Sequence, residues 1–310
     1  MKKKINFSII FPGQSKYNKN RLMKLYKYDN SIKNTFEKAS EIIKYNIWKN
    51  IYENSIKKIK NRYFQPIIIT ISIAIYKLFI KHINIKPKII AGHSLGEYSS
   101  LICSNSISFK NCLLLIKARG KLMEKVSKKK FSTKLIFGLT EEKVTKICKK
   151  CSYNNIVEIS SINSKKIITI TGDSKSVKLA VKLCKINKSK KILSVPISVP
   201  VHCNMLKSIK NKYFNLLKKI NFKNPIFNII NNIDAKNIYK KNNIKKYLCK
   251  QLYKKVKWKE CIDYIIKKNV KLFIEMSTNK IFIKENNNFI KTITINSKKN
   301  ILYARKIITK

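Results

Sequence analysis

Lys88-Ile89-Ile90-Ala91-Gly92-His93-Ser94-Leu95-Gly96 is the stretch of sequence that decides the fold. A short apolar run ends at Gly92 and a helix is expected from Leu95, so a G-x-S-x-G pattern falls at a strand-to-helix junction. A sharp turn there lifts the Ser94 hydroxyl out of the sheet and leaves no room for Cβ atoms two residues to either side. The helix start offers backbone N–H groups to a developing oxyanion. The stretch predicts a serine nucleophile, with a purely structural turn as the alternative.

The composition makes those glycines informative. The chain has 310 residues, 44% of them hydrophobic, which excludes a wholly disordered protein, yet its formal net charge is +54. Of the 69 cationic residues only four are arginine, and the lysines are spread along the whole chain, which favours a coding bias over a nucleic-acid-binding face. Only six glycines remain, and two of them flank Ser94. Their placement favours a nucleophile over a chance match.

The predicted strands and helices occur in two different orders along the chain. Strands at 5–11 and 88–91 with helices at 31–45 and 66–83 predict an α/β core, a mostly parallel sheet covered on both faces. From residue 131 the order becomes βαββαβ, a ferredoxin-like arrangement, with strands at 133–137, 156–162, 166–171 and 191–195 and helices at 141–151 and 174–185. We therefore predict a subdomain at 127–198, inserted between core segments 1–126 and 199–310. The returning core contains strands at 227–230 and 270–274 and helices at 245–252 and 258–267, and the signal is weak beyond Met276.

A serine nucleophile needs a base, and the chain has three histidines. His93 directly precedes Ser94, where the turn directs its side chain away from the hydroxyl. His82 lies in a lysine-rich helix end and is expected to be solvated. His202 follows a predicted strand and is the candidate base by elimination, with a structural histidine as the alternative.

Arg119 stands beside Gly120 in a chain where nearly every cation is lysine. A planar guanidinium can bind a carboxylate through two parallel hydrogen bonds, a role that lysine cannot fill. Arg119 is therefore a candidate carboxylate-binding residue. The alternatives are that Arg119 was retained by chance despite the coding bias, or that it forms a structural ion pair.

The cysteines and the longest apolar run favour a cytoplasmic protein. Eight scattered cysteines are typical of a reducing compartment, and the C-x-x-C pair Cys148 and Cys151 is expected to end a helix, not to bind zinc or act in redox chemistry. The apolar run at 67–80 is too short for a bilayer and predicts a buried helix. The Pro-Gly turn after residue 11 does not fit a signal peptide.

In its motifs and their order, the sequence resembles the malonyl-CoA:acyl carrier protein transacylases from about residue 5 to 275. The matching stretches are Phe11-Pro12-Gly13-Gln14, Gln65-Pro66, Gly92-His93-Ser94-Leu95-Gly96-Glu97-Tyr98-Ser99, Lys117-Ala118-Arg119-Gly120, Ser198-Val199-Pro200-Val201-His202-Cys203, Asn231-Asn232-Ile233-Asp234 and Gln251-Leu252-Tyr253.

The resemblance implies an α/β-hydrolase-like core with an inserted ferredoxin-like subdomain, and a role in fatty acid biosynthesis. It implies that Ser94 takes malonyl from coenzyme A as an ester and passes it to the phosphopantetheine thiol of an acidic acyl carrier protein. His202 would be the base, held by a backbone carbonyl near Gln251. The backbone N–H groups of Gln14 and Leu95 would form the oxyanion hole.

The resemblance also implies a substrate pocket without a permanently bound cofactor or metal. Arg119 would hold the malonyl carboxylate, and Gln65, Asn163 and Gln251 resemble pocket-lining residues. The expected partners are malonyl-CoA and the carrier protein, with no specific nucleic acid and no membrane, and the expected state is a monomer.

The chain departs from the family pattern in two turns. Ser15-Lys16-Tyr17 stands where the family continues Gly-Ser-Gln, and Ser277-Thr278-Asn279 stands where it has Gly-Pro-Gly. In the second turn Asn279 can take the left-handed conformation, which Ser277 and Thr278 adopt less readily. These departures predict an altered loop beside the oxyanion hole and lower stability.

Two other functions stay open at this point. A serine hydrolase or thioesterase would use water in place of the carrier thiol, but it would not need Arg119, and no acidic residue between Ser94 and His202 is an obvious triad acid. A basic binding protein would cluster its lysines with aromatic residues on one face, whereas these lysines are dispersed.

Overall fold

The larger of two sheets has six strands, in the order β10-β9-β1-β2-β7-β8. The computed structural model describes residues 5–53, 59–126, 130–153, 155–238, 240–282 and 290–309. The sheet consists of β1 (Phe7–Phe11), β2 (Ile89–Gly92), β7 (Asn228–Ile230), β8 (Asn237–Ile238), β9 (Leu272–Glu275) and β10 (Lys291–Thr294). All neighbours are parallel except β7 and β8. The predicted mostly parallel sheet is confirmed.

Helices cover both faces of this sheet. They are α1 (Lys19–Tyr28), α2 (Asn30–Ile43), α3 (Ile47–Glu53), α4 (Asn61–His82), α5 (Gly96–Cys103), α6 (Phe109–Val126), α9 (Lys210–Lys218), α10 (Lys241–Gln251), α11 (Trp258–Lys267) and α12 (Lys298–Ile308), with a 3-10 helix at Asn204–Ile209. The consecutive β1 residues Ile9 and Ile10 belong to two different apolar clusters, because successive side chains of a strand point to opposite faces. The sheet is therefore buried on both sides, as its continuous apolar strands require.

Helix α4 is the core helix predicted from the apolar run at 67–80. It begins at Asn61, before that run, and its 22 residues are long and apolar enough to cross a membrane. However, 78% of its most apolar window is buried inside the protein. The prediction of a buried helix is confirmed, while the length inferred from the run was too short.

The smaller sheet has four strands in the order β4-β5-β3-β6, all paired antiparallel. Its elements are β3 (Phe131–Phe137), α7 (Glu141–Cys151), β4 (Val157–Ser164), β5 (Ile167–Asp173), α8 (Ser174–Ile186) and β6 (Lys191–Ser194). They have a separate apolar cluster, so the βαββαβ order is confirmed. Residues 127–129, at the proposed entry to the subdomain, lie outside the described residues. The bounds 127–198 remain our proposal.

Cys148 and Cys151 lie in the last turn of α7, as predicted from the sequence. Both side chains are buried in the small core, and burial raises the pKa of Cys148 to about 12 and that of Cys151 above its ordinary value. Their thiols are therefore held protonated and packed as small apolar groups.

Side-chain hydroxyls stabilise the turn after Glu275. Within the described chain, none of Ser277, Thr278 and Asn279 has a positive φ. Side chains hold the turn: the Asn279 N–H donates to Ser277 Oγ (3.2 Å), and Thr278 Oγ1 accepts from the Asn18 N–H (2.9 Å). The described turn therefore contains no left-handed residue, and these hydroxyls stabilise a turn that needs no glycine.

Candidate active site

Ser94 occupies a tight turn between β2 and α5. Its φ is +54°, a left-handed conformation that is uncommon outside glycine. A Cβ on Gly92 would lie 1.9 Å from the Gly96 carbonyl carbon, and one on Gly96 would lie 2.4 Å from the Phe11 carbonyl oxygen. The close approach predicted from the G-x-S-x-G pattern is confirmed, and both glycines are needed for it.

Ser94 and His202 form a hydrogen-bonded pair. Ser94 Oγ lies 2.5 Å from His202 Nε2, and His202 Nδ1 lies 2.6 Å from the backbone carbonyl oxygen of Gln251. Because a carbonyl only accepts, Nδ1 carries the hydrogen and Nε2 is free to take the serine proton. His202 is 4% exposed, and burial lowers its pKa to about 3, so the ring is neutral near pH 7. The structure thus places a neutral base against the hydroxyl.

Two side chains below the turn hold the backbone of Ser94. Asn232 Oδ1 accepts from the Ser94 N–H (2.6 Å), and its Nδ2 donates to the Gly92 carbonyl (2.8 Å). Gln251 Nε2 donates to the Ser94 carbonyl (3.0 Å) and to Glu97 Oε2 (2.7 Å). Sequence reasoning assigned no role to Asn232 or Glu97, although both lie in quoted motifs. Only their three-dimensional contacts distinguish them from other polar residues.

Gln14 and Leu95, whose backbone N–H groups are the predicted oxyanion donors, line the same cavity as Ser94. Leu95 directly precedes α5, and the loop after β1 comes so close that a Cβ on Gly13 would lie 3.5 Å from Ser94 Cβ. Neither N–H donates a hydrogen bond within the part of the chain that the structure describes. The Gln14 side chain is turned away, since its Nε2 donates to Asn61 Oδ1 (3.2 Å). Two free donors are therefore available to an oxyanion.

Arg119, on α6, lines the same cavity as Ser94. It is 2% exposed, its Nη1 donates to Gln65 Oε1 (2.8 Å), and its guanidinium lies 5.7 Å from the centre of the Tyr98 ring. Its Nε has no hydrogen-bond partner, and none of the ion pairs formed by the described residues includes Arg119. Arg119 thus takes part in no structural ion pair with the described residues, whereas Arg62 does form one with Glu124.

The three predicted pocket-lining residues occupy different layers. Asn163 lines the cavity. Gln65 lies behind Arg119, where its Nε2 also contacts Met123 Sδ (3.5 Å). Gln251 lies below Ser94, fully buried. Only Asn163 is placed to touch a substrate, and the two glutamines support the residues that face it.

The other two histidines are directed elsewhere. His93 Nε2 lies 3.1 Å from both Ser161 Oγ and Asn163 Oδ1 on the smaller sheet, which confirms that the ring points away from the Ser94 hydroxyl. His82 is half-buried against the ring of Tyr28, so its side chain is less solvated than its place at a lysine-rich helix end predicts. Stacking on an aromatic ring shields it from water.

A cavity of about 270 Å³ lies between the two sheets. Its walls combine polar groups around Ser94 with apolar side chains, including Leu135, Val201, Trp258 and Phe282. A second cavity of about 480 Å³ shares four of its lining residues, Gln14, Ser15, Val195 and Ile197, and continues past Lys16 and Phe64. The described residues include no cluster of His, Cys, Asp and Glu that could hold a metal ion. The site can bind an elongated acyl donor with its reactive end at Ser94.

Comparison with known proteins agrees with this geometry. The family model of the acyl transferase domain matches residues 10–298. The malonyl CoA-acyl carrier protein transacylase of Buchnera aphidicola subsp. Schizaphis graminum is 38% identical over 98% of this chain and 99% of its own length. The solved transacylase of the same name from Coxiella burnetii is 27% identical, with a TM-score of 0.95 over 99% of each chain.

A second solved structure contains a carrier protein. It is described as a type II PKS acyl-carrier protein in complex with its malonyl-transacylase, and this chain matches it with 29% identity and a TM-score of 0.93, over 97% of this chain and 99% of that one. The predicted fold class, a core of the α/β-hydrolase-like type with an inserted ferredoxin-like subdomain, is confirmed by these likenesses.

Proposed function

The chain belongs to the acyl transferase domain family and, within it, to the malonyl CoA-acyl carrier protein transacylases, and from this premise we propose that it moves malonyl from malonyl-CoA to the phosphopantetheine thiol of an acyl carrier protein. One observation carries the proposal. The hydrogen-bonded pair of Ser94 and His202 opens into the same cavity as Arg119, a buried cation without an acidic partner among the described residues. A nucleophile and a free carboxylate site in one cavity fit a malonyl thioester.

The first half-reaction forms an ester on Ser94. Ser94 Oγ attacks the thioester carbonyl carbon while His202 Nε2 takes the hydroxyl proton. The C–O bond forms, the C–S bond breaks, and the proton passes from Nε2 to the departing sulfur of coenzyme A. The Gln251 carbonyl, which accepts from Nδ1, stabilises the imidazolium that exists between these steps.

Charge develops at two places during this step. The carbonyl oxygen becomes an oxyanion beside the free N–H groups of Gln14 and Leu95, and preorganised donors of this kind contribute about 3–4 kcal/mol each. The malonyl carboxylate keeps its charge throughout and pairs with the Arg119 guanidinium. Arg119 therefore selects the acyl group, and the oxyanion hole accelerates its transfer.

The second half-reaction transfers the malonyl group to the carrier thiol and regenerates the free Ser94 hydroxyl. The carrier thiol gives its proton to His202 and attacks the ester carbon, the C–S bond forms, and the C–O bond breaks as the proton returns to Ser94 Oγ. Acidic carrier proteins are attracted to a chain of net charge +54, in a salt-dependent way. The chain thus acts by a two-step exchange that supplies fatty acid biosynthesis.

We also propose a cytoplasmic monomer without a permanently bound cofactor. The eight buried free cysteines fit a reducing compartment, and the reaction uses only side chains and backbone donors. Hydrolysis is disfavoured by Arg119, because a neutral acyl ester offers a buried cation no partner. Among the described residues Glu97 hydrogen-bonds to Gln251 and not to the His202 ring. Glu97 is therefore not placed as the triad acid that a hydrolase would use.

Initial-rate kinetics with malonyl-CoA and a phosphopantetheinylated carrier test the exchange. Because coenzyme A leaves before the carrier thiol reacts, double-reciprocal plots at several carrier concentrations should be parallel. Intersecting lines would mean that both substrates must be bound together and would contradict the ester intermediate. The Ser100→Ala variant is a matched control, since Ser100 lies on α5 and, among the described residues, its Oγ hydrogen-bonds only to the Gly96 carbonyl (3.3 Å).

A further inference from the structure

Glu97 is a buried acid to which the reaction above gives no role. It lies on α5, one turn after Ser94, and is 0% exposed. Its Oε2 accepts from two donors, Gln251 Nε2 (2.7 Å) and the Asn232 N–H (3.1 Å). Its Oε1 has no hydrogen-bond partner among the described residues. A buried carboxyl group with one oxygen unpaired among the described residues costs stability.

The two residues that bind Glu97 are the two that hold the reacting pair. Asn232 fixes the Ser94 N–H, and the Gln251 carbonyl fixes the His202 ring while its side chain fixes the Ser94 carbonyl. Those residues come from distant parts of the chain, since 154 positions separate Glu97 from Gln251. Glu97 is thus the junction between the support of the nucleophile and the support of the base.

Gln251, which donates a hydrogen bond to Glu97, also has a side-chain oxygen without a hydrogen-bond partner among the described residues. Gln251 Oε1 is buried without a hydrogen-bond partner in the described chain, like Glu97 Oε1. Both hydrogens of Gln251 Nε2 are already engaged, one by Glu97 Oε2 and one by the Ser94 carbonyl. A carboxylic acid joined to a primary amide by one N–H···O bond can close a ring with an O–H···O bond. One proton on Glu97 Oε1 would satisfy both orphaned oxygens.

We propose that Glu97 is a positioning residue for the Ser94–His202 pair, and that it works as a neutral acid whose Oε1–H donates to Gln251 Oε1 while Oε2 accepts from Gln251 and Asn232. This inference rests on the proposed function, because it assigns Glu97 to the same transfer reaction. The neutral acid fixes the amide plane of Gln251, and with it the carbonyl that orients the His202 ring. It also leaves no net charge under the nucleophile.

The electrostatic surroundings agree with a neutral acid. Burial raises the pKa of Glu97 to about 8, although the two N–H donors lower it. The titratable groups around it are Tyr98 on its own helix, Asp234 after β7, Tyr247 on α10 and Cys261 on α11. Burial raises the pKa of Tyr98 to about 12, and it raises those of Tyr247 and Cys261. Asp234 adds repulsion that disfavours ionised Glu97.

The test compares Glu97→Ala and Glu97→Gln with Ser100→Ala, a control on the same helix whose side chain, among the described residues, forms no hydrogen bond with Gln251 or Asn232. The readout is the rate of coenzyme A release in a single turnover with malonyl-CoA, together with KM. Glu97→Ala should lower the rate by about 10- to 100-fold with KM little changed, because it misplaces the reacting groups and not the substrate. Glu97→Gln should recover most of the rate, since its amide can accept and donate as the neutral acid does. Ser100→Ala should match the wild type.

The pH dependence separates positioning from a merely structural role. Wild-type release should fall through an inflection near pH 8, where Glu97 loses its proton, and Glu97→Gln should lack that inflection. A wild-type rate in Glu97→Ala would overturn the proposal. If that variant does not fold, an unchanged inflection in Glu97→Gln would overturn it instead. Failure of the wild type to release coenzyme A would contradict the proposed function.

Discussion

The floor and the roof of the cavity are built on different principles. We call floor the residues on the larger-sheet side: Ser94, Arg119 and His202, which line the cavity, and Glu97, Asn232 and Gln251, which lie behind them. We call roof the residues that line the cavity from the smaller sheet, Leu135, Ser160, Ser161, Asn163 and Thr169. In the floor, Ser94 is fixed through its N–H, its carbonyl and its hydroxyl. The roof reaches the core loops through contacts such as the His93 Nε2 hydrogen bonds to Ser161 and Asn163.

This difference indicates a division of labour. Transfer needs the nucleophile, base and oxyanion donors held to within fractions of an ångström, and a buried network provides that rigidity. The roof only has to close a cavity over acyl groups that are held by Arg119. Substitutions in the floor should therefore change the rate or the selectivity strongly, and substitutions in the roof should change them weakly.

The largest effect is expected at Arg119, where the floor meets the acyl group. Arg119→Ala should lower kcat/KM for malonyl-CoA by the equivalent of about 2–5 kcal/mol, because the carboxylate loses its buried partner. Arg119→Lys should recover little, since a point charge cannot replace the planar fork. Acetyl-CoA has no carboxylate and should be used at least as well as by the wild type.

The control for this prediction is Arg62→Lys, because Arg62 pairs with Glu124 and does not line the cavity. The ratio of malonyl to acetyl kcat/KM should be unchanged in Arg62→Lys. Equal losses for both thioesters in Arg119→Ala would show that Arg119 supports the fold and does not contact the acyl group.

The two histidines of the site should make stability depend on pH. Burial lowers the pKa of His202 to about 3 and that of His93 to about 4, against an ordinary value of 6.5. As the pH falls, the unfolded chain therefore binds a proton at each of these histidines before the folded chain does. The free energy of unfolding should fall as the pH drops below 6.5, by up to about 1.4 kcal/mol per pH unit for each histidine.

Chemical denaturation between pH 7 and pH 4 measures this loss. His202→Asn in the floor should flatten the dependence more than His93→Asn, because His202 is almost fully buried while His93 is half-buried against the roof. An identical pH dependence in the wild type and both variants would mean that neither ring is kept neutral by its surroundings.

The smallest effect is expected in the roof. Asn163→Ala removes the acceptor of the His93 Nε2–H and a donor to Thr169 Oγ1 (2.9 Å), a change of about 1 kcal/mol. The KM for malonyl-CoA should rise a few-fold with kcat little changed. Leu135→Ala offers an apolar comparison in the same sheet, and a large fall of kcat in Asn163→Ala would remove the distinction between roof and floor.

The helices and strands predicted best are those whose caps and apolar periodicity are not interrupted by the many lysines. Helix α7 has the bounds predicted for it, 141–151, and the structure shows that Thr140 caps it and that two glutamates occupy its first turn. Helices α1, α3, α6, α9 and α12 and strands β8 and β10 were not predicted. Lysine and asparagine interrupt their apolar positions, and α12 follows a weak stretch that includes residues outside the described chain.

In the site, too, some features follow from a local sequence motif and others depend on contacts between residues that are distant in the sequence. The turn at Ser94 follows from a five-residue motif, and the pairing of His202 with the Gln251 carbonyl was implied by resemblance. Glu97, Asn232 and Gln251 are joined by contacts spanning 135 and 154 positions, which no local pattern encodes. Such contacts follow only from the arrangement of α5, α10 and the loop after β7.

Mass spectrometry of the intact protein after mixing with malonyl-CoA, without a carrier protein, tests the central claim most directly. The wild type should gain one malonyl group, and digestion should place it on the peptide that contains Ser94. Ser94→Ala should gain none, because the described residues place no other hydroxyl within hydrogen-bond distance of His202 Nε2. A malonyl adduct on Ser94→Ala, or turnover by the wild type without any adduct, would contradict the account.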